Sequence, residues 1–199
     1  MNTDRKGFTI VELLIVIVVI AILAAISVVA YNGINQRASA AAAASVANTV
    51  AKGFEAYYAL EGHYPLLETT ASSAQEGCVG KIDDFPAESG FAAGACAPSI
   101  DVDEMRSVNT AVSAELAKVM SLPNTRLPVV EDPWTVGLKN RGVYFQSANH
   151  QTQGPWVYLK YGVNGKQKCA ASGSYSNSAH YDAGVDVTMC EVYLYAHKK

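Results

Sequence analysis

Proline is absent from the first part of this 199-residue chain, and the first one is Pro65. Because proline breaks the interior of a helix, its absence permits one long helix. The stretch 38–47 consists almost entirely of strong helix formers. Beyond it, apolar residues recur at spacings of four, four and three, which places them on one helix face: Val46, Val50, Phe54 and Tyr57. The sequence predicts a single helix from Phe8 to about Glu61.

Charge is also scarce, because Glu12 is the only charged residue between Lys6 and Arg37. The apolar run Phe8–Tyr31 spans about 36 Å as a helix, enough for a hydrocarbon core of about 30 Å. A secretory signal peptide has a shorter apolar core, with its cleavage site after that core. A generic anchor, with Arg5 and Lys6 held inside, would explain the length of the run but not Glu12. A carboxylate in a membrane span is costly unless neutralised, so Glu12 predicts a function.

Sequence signatures of common enzymes are missing, namely HExxH, GxSxG and a Walker-type glycine loop. The polar tract 170–181 is predicted as a surface loop rather than a catalytic one, although it holds Ser172, Ser174, Ser176 and Ser178. The histidines are scattered at His63, His150, His180 and His197. A net charge of −3 gives no general electrostatic footprint for nucleic acid, which leaves open a local patch on an assembly. No catalytic residue and no cofactor are predicted.

A second, shorter helix is predicted from Asp101 to about Ser121. Asp101 can cap it, and Glu104 stands at the third helical position. Calcium at these acids, or at Asp182 and Asp186, is the less favoured alternative because the spacing fits no calcium loop. We therefore assign no metal site.

Cysteine is absent until Cys78, and all four cysteines follow the apolar span: Cys78, Cys96, Cys169 and Cys190. If the N-terminus faces the cytoplasm, they lie on the oxidising side, where an even number favours disulfides. Nearness in sequence favours Cys78–Cys96 and Cys169–Cys190, although four cysteines allow three pairings. The spacing does not fit a zinc site.

From Gly142 onward the apolar period changes to two, which predicts strands. In the first strand, Val143, Phe145 and Ser147 alternate with Tyr144 and Gln146. In the second strand, Val157, Leu159 and Tyr161 alternate with Trp156, Tyr158 and Lys160. Asn164-Gly165 predicts a hairpin turn into a strand that holds Cys169. The last predicted strand is Val187–Tyr195, with Cys190, Val192 and Leu194 on one face. We expect an α+β fold, in which the long helix covers a C-terminal antiparallel sheet of three or four strands.

The aromatic side chains of these strands allow two interpretations. Tyr144, Trp156 and Tyr158 could form an outward strip that contacts a neighbouring subunit or a host surface. Half-buried sheet aromatics are the more common explanation of such a pattern.

Residues 7–14, Gly-Phe-Thr-Ile-Val-Glu-Leu-Leu, follow a short charged leader, MNTDRK. This segment resembles the processing site of the type IV prepilin family, which includes pilins and the pseudopilins of secretion and DNA uptake. The phrase AYYALEGHYP also resembles the helix exit of many pilins. The resemblance implies that a prepilin peptidase cleaves between Gly7 and Phe8 and N-methylates Phe8. It also implies that Glu12 guides assembly, where it can meet the Phe8 amine of an adjacent subunit.

The resemblance implies the type IV pilin fold and a structural subunit of a surface filament, first anchored in the cytoplasmic membrane as a single N-in span. The implied partners are further copies of the chain, membrane lipid, the inner-membrane assembly platform and its ATPase motor, with a host surface or DNA as further candidates. A major pilin for motility, adhesion or DNA uptake is the first expectation. A minor pilin or a secretion or competence pseudopilin is the alternative, and a membrane-tethered enzyme comes last.

One departure from the pattern concerns Val29, where many pilins carry a helix-loosening proline. Gly33, flanked by Asn32 and Asn35, is the remaining weak point of the predicted helix. The expected organisation is a removed leader (1–7), a transmembrane or filament-core helix (8–31), its amphipathic continuation (32–61), a connecting region with one short helix (62–141) and the disulfide-stapled sheet region (142–199).

Overall fold

A computed structural model of the protein describes residues 9–67, 74–88, 90–98, 104–135, 137–150, 154–169 and 176–195. The chain divides into two compact units, residues 1–38 and residues 39–199. Helix α1, Ile10–Glu61, contains 52 residues and contributes to both units. It ends where the sequence predicts, because Gly62 adopts a left-handed conformation (φ 76°) and donates its N–H to the Tyr58 carbonyl at 2.9 Å. Phe8, the predicted first residue, lies outside the described residues.

Within the second unit, the last turns of α1 form one side of the main core. Val50, Phe54 and Tyr57 are buried as the spacing predicts, and Val46 is partly buried. The same core contains small residues of α1, with Ala47 and Ala51 inside this stripe and Ala43 and Ala44 on its N-terminal side. These alanines let the helix approach the sheet closely, since a larger side chain at each position would hold the backbones apart.

The central sheet has five antiparallel strands, one more than the upper expectation. Four come from the C-terminal region: β6 (Tyr144–His150), β7 (Gly154–Asn164), β8 (Ser176–Asp182) and β9 (Val187–Tyr195). The fifth, β1 (Gln75–Cys78), pairs with β6 at the edge, and the strand order is β1-β6-β7-β9-β8. Residues 75–78, Gln-Glu-Gly-Cys, show no alternating pattern, so β1 is not among the strands that the sequence predicts.

The alternating pattern of the sheet is confirmed, and both of its faces are covered. Val143, Phe145, Val157, Leu159 and Tyr161 pack in the core that contains α1, together with Cys190, Val192 and Leu194 of β9. Residues of the opposite face pack in a second cluster beneath the segment 78–108. Of the two interpretations of the aromatic side chains, the structure therefore supports the favoured one, packing within the sheet, because Tyr144 and Tyr158 are buried and Trp156 is partly buried. The alternative of an outward strip is wrong for Tyr144 and Tyr158.

The predicted helix from Asp101 to Ser121 is also wrong in extent. Residues 105–107 form β3 (Met105–Ser107), which pairs antiparallel with β2 (Ala95–Pro98). The helix that follows, α2, covers only Thr110–Leu116, and its cap is Asn109, whose Oδ1 accepts the Val112 N–H at 3.0 Å. Strand pairing with β2 outweighs the helical propensity of this segment. Asp101 lies outside the described residues.

The chain leaves β7 differently from the predicted hairpin. Gly165 does adopt a left-handed turn conformation (φ 77°), but residues 167–169 are irregular, and β7 pairs with β6 on one side and β9 on the other. The polar tract 170–181 is not a loop throughout, because its end belongs to β8, an edge strand paired with β9. A short hairpin, β4 (Val130–Glu131) and β5 (Lys139–Asn140), and one turn of 3-10 helix, Ile82–Asp84, complete the described elements.

Two disulfides link segments that are not neighbours in the sheet order. Cys78, at the end of β1, is joined to Cys96 in β2, and Cys169, after β7, is joined to Cys190 in β9. These are the pairings that nearness in sequence favours. The second bond attaches the irregular residues that follow β7 to strand β9.

Candidate assembly and processing site

Glu12 lies in the first turn of α1, where it forms a capping box with Thr9. The Thr9 N–H and the Thr9 hydroxyl both donate to Glu12 Oε2 at 2.8 Å, and the Glu12 N–H donates to Thr9 Oγ1 at 3.2 Å. This exchange satisfies backbone donors that the first turn of a helix otherwise leaves unpaired. Sequence reasoning singled out Glu12 but missed Thr9, although the Thr-x-x-Glu pattern is a recognised helix-start signal.

The helix surface beyond Glu12 is apolar on every side. The exposed fractions of its large apolar side chains between residues 10 and 28 run from 47% at Val18 to 87% at Ile10. By length and composition, α1 is able to cross a membrane. Such a surface is not stable in water and requires lipid or other apolar helices around it.

Small residues interrupt this apolar surface and leave room for close contact between helices: Ala21, Ala24, Ala25 and Ala30. The Ser27 hydroxyl donates to the Leu23 carbonyl at 2.8 Å, so its hydrogen bond is made within the helix. The helix continues through Val29 without a break, and a Cβ added at Gly33 would meet no atom within 4 Å. Short side chains on a membrane helix favour packing against a second helix.

The predicted processing residues Gly7 and Phe8 lie outside the described residues. Their assignment depends on the sequence motif, for which comparison with known proteins gives independent support. Residues 2–28 match the family described as the prokaryotic N-terminal methylation motif. The chain carries the class III leader of type IV pilins and pseudopilins. It has no significant match among curated proteins or among solved structures.

The pilin-type leader implies processing by a prepilin peptidase and assembly into a pilus, and it supports a type IV pilin or pseudopilin. The apolar N-terminal helix fits membrane anchoring before that assembly. Together these features point to a structural subunit rather than an enzyme.

The histidines that the structure describes lie in different segments of the chain. His63 Nδ1 lies 2.9 Å from the Tyr64 carbonyl oxygen, His150 belongs to β6, and the His180 ring packs on Trp134 with ring centroids 5.5 Å apart. Ser172, Ser174 and His197 lie outside the described residues. Among the residues that the structure does describe, no three His, Cys, Asp or Glu side chains form a metal-binding group.

Asp182 and Asp186, the remaining cation candidates, belong to the tight turn between β8 and β9. Asp182 Oδ1 accepts the N–H groups of Gly184 at 2.7 Å and Val185 at 3.3 Å, and Asp186 Oδ1 accepts the Tyr181 hydroxyl at 2.9 Å. These bonds fix the turn, which explains the carboxylates without a metal ion.

The main titratable contact of α1 within the second unit joins Tyr57 to Glu115. The Tyr57 hydroxyl donates to Glu115 Oε2 at 2.7 Å, and Lys118 Nζ lies 2.7 Å from both Glu115 oxygens. Burial, together with this hydrogen bond, raises the pKa of Tyr57 to about 12. Lys118 and then Tyr57 lower the pKa of Glu115. The contact connects α1 to α2 at a polar point beside the core.

Proposed function

We propose that the protein is a major pilin, the structural subunit of a type IV pilus used for motility, adhesion or DNA uptake. After cleavage between Gly7 and Phe8, residues 8–31 would lie in the membrane and later in the filament core. The assembly platform with its ATPase motor would move the subunit between the two. The observation that carries this proposal is Glu12, a charged residue in an otherwise apolar helix surface that also bears the leader motif.

The capping box supports a role for Glu12 after processing. Both of its partner groups belong to Thr9, so removal of residues 1–7 leaves these hydrogen bonds in place. Both bonds end on Oε2, which leaves Oε1 as the acceptor for a further donor. The Phe8 amine of an adjacent subunit supplies such a donor, and a paired charge in apolar surroundings is far less costly than a lone one.

The test compares Glu12→Gln and Glu12→Ala with Glu61→Gln, which changes an exposed carboxylate at the far end of the same helix. We expect the Glu12 variants to be processed and inserted in the membrane but to assemble poorly, and Glu61→Gln to assemble normally. Filaments sheared from cells are quantified, and mass spectrometry shows whether the subunit begins at N-methylated Phe8. Normal filament yield from the Glu12 variants would contradict the pairing mechanism.

Abundance in the sheared filaments separates the major pilin from a minor pilin or pseudopilin. A major pilin is the predominant protein of that fraction. If the chain is present only in traces, or only in the membrane, the assignment passes to the minor pilin or pseudopilin alternative.

A further inference from the structure

Lys160 and Asp132 form an ion pair that is almost completely withdrawn from water. Lys160 Nζ lies 3.0 Å from Asp132 Oδ2, and the two side chains are 1% and 0% exposed. Every other ion pair of the described residues includes at least one side chain that is more than a fifth exposed. A buried ion pair contributes little to stability after desolvation, so its presence in a small domain calls for a chemical explanation.

The surroundings of the amine are aromatic and dry. Lys160 Nζ lies 5.4 Å from the centroid of the Trp134 ring and 5.5 Å from that of Tyr144, its register partner on β6. Burial lowers the pKa of Lys160, whereas Asp132 and Glu191 raise it. Desolvation therefore favours the neutral amine, which is the nucleophilic form of a lysine side chain.

The carboxyl group of Asp132 is held and polarised by the backbone. Its Oδ1 accepts the N–H of Trp134 at 3.0 Å and the N–H of Thr135 at 3.1 Å, while Oδ2 faces Lys160. Two converging N–H donors on one oxygen are the arrangement that stabilises the oxyanion of a tetrahedral intermediate. The arrangement fixes the electrophile in place and orients its second oxygen toward the amine.

A second carboxylate lies next to the pair. Glu191 of β9 is the direct register partner of Lys160, on the same face of the sheet. Its oxygens accept the hydroxyl groups of Tyr158, at 2.8 Å, and Ser178. A carboxyl group held beside the amine can take a proton from it and pass that proton on during the reaction.

We propose that Lys160 and Asp132 condense to an intramolecular isopeptide bond, with Glu191 as the proton carrier. One proton first passes from the Lys160 ammonium to Asp132 Oδ2 along their hydrogen bond, which gives a neutral amine and a neutral carboxylic acid. The amine then attacks Asp132 Cγ, and negative charge collects on Oδ1 beneath the Trp134 and Thr135 N–H groups. Glu191 takes a proton from the amine nitrogen and returns it to Oδ2, which leaves as water. The ammonium and the carboxylate thus become one amide and one water molecule, without an oxidant or a co-reactant.

The bond would lock the β4–β5 hairpin to β7, the middle strand of the sheet. Asp132 directly follows β4, and its N–H donates to the Leu138 carbonyl at 3.0 Å across the hairpin. Close packing already brings the two elements together, because a Cβ added at Gly162 of β7 would lie 2.3 Å from Val130 of β4. This proposal goes beyond polymerisation and does not depend on it, since the bond forms within one subunit.

Intact mass spectrometry of the full-length processed chain, extracted from membranes and with its disulfides reduced and alkylated, tests the proposal. We expect a mass lower than that of the linear chain by one water molecule. Proteolysis should give a branched peptide whose fragments join residue 132 to residue 160. Full linear mass, or a water deficit without that branched peptide, would overturn the proposal and leave an ordinary ion pair.

Variants identify the groups that react. Lys160→Met and Asp132→Ala should restore the full mass, and Lys168→Arg, an exposed lysine nearby in sequence, should keep the deficit. Glu191→Gln preserves both reacting groups and is expected to form the bond at least tenfold more slowly in a time course after synthesis. A wild-type rate in Glu191→Gln would refute the role of Glu191. The mass of the wild-type chain tests the proposal without any variant, so the test stands even if Lys160→Met does not fold.

Discussion

Arg141 is a fully buried arginine that organises the loop between Phe85 and Cys96, and its removal provides a quantitative test of the fold. Its side chain is 0% exposed. Nε donates to the Ala95 carbonyl at 2.8 Å, and Nη1 donates to the Pro86 carbonyl at 2.9 Å. The guanidinium also lies 4.1 Å from the centroid of the Phe91 ring. The side chain therefore holds three points of one loop.

We expect Arg141→Met to destabilise the protein by about 2–5 kcal/mol. The buried Ala95 carbonyl loses its donor, which costs about 1–3 kcal/mol, and the contact with Phe91 contributes about 1–2 kcal/mol. The Pro86 and Ala92 carbonyls belong to exposed residues, where water replaces the lost donor at lower cost. Methionine keeps the apolar stem, so little of the loss comes from packing.

The measurement is denaturant unfolding of the full-length, disulfide-bonded chain in detergent, followed by tryptophan fluorescence. The matched control is Arg126→Met, because Arg126 pairs with the same Glu88 carboxylate but is 40% exposed. A surface pair contributes about 1 kcal/mol or less. If Arg141→Met costs no more than Arg126→Met, the assigned role of the buried guanidinium is refuted.

Three further predictions follow from other parts of the chain. Gly7→Val should block leader removal, so the subunit should migrate as the unprocessed form on a gel; unchanged mobility would count against the cleavage site. The pKa of Tyr57 is raised from about 10 to about 12, so its contribution to stability is present below pH 10 and is lost as the pH rises through 12. In thermal unfolding, the midpoint of Tyr57→Phe should therefore fall less than that of the wild type between pH 10 and pH 12. Replacement of Cys169 and Cys190 by serine should cost about 2–5 kcal/mol in the same assay, and an unchanged midpoint would exclude a stabilising role.

Local periodicity predicted which residues of a helix or strand share a face. The buried stripe of α1 and the alternation along β7 and β9 follow from spacings of three to four residues and of two residues, and both agree with the structure. The end of α1 at Glu61 follows from Gly62 and from Pro65 shortly beyond it. Lys160 was assigned correctly to the face opposite Leu159. Alternation could not show that this second face is also covered, because its cover comes from a distant segment of the chain.

Elements formed by distant pairing were missed. Residues 75–78 and 105–107 are too short and too polar to show a period, and they become strands only because β6 and β2 supply partners. The Asn164-Gly165 pattern correctly predicted a turn conformation at Gly165. It wrongly predicted that the segment just after the turn pairs with β7, because β9 pairs with β7 at that position. Turn chemistry fixes the backbone of two residues and does not specify which strand pairs beyond them.

The two parts of α1 also differ in what can hold them. Between Ala43 and Tyr57 one face is buried in the core, whereas between residues 10 and 28 the apolar side chains are exposed all round. For that first part, lipid and neighbouring helices are equally apolar, so hydrophobic burial does not favour one over the other. If the protein polymerises as proposed, the preference for the filament must come from contacts that lipid cannot make. Close packing at the alanines and an amine for the Glu12 carboxylate are two such contacts, and only the second involves a charge. Substitution of Glu12 should therefore impair assembly while membrane insertion stays intact.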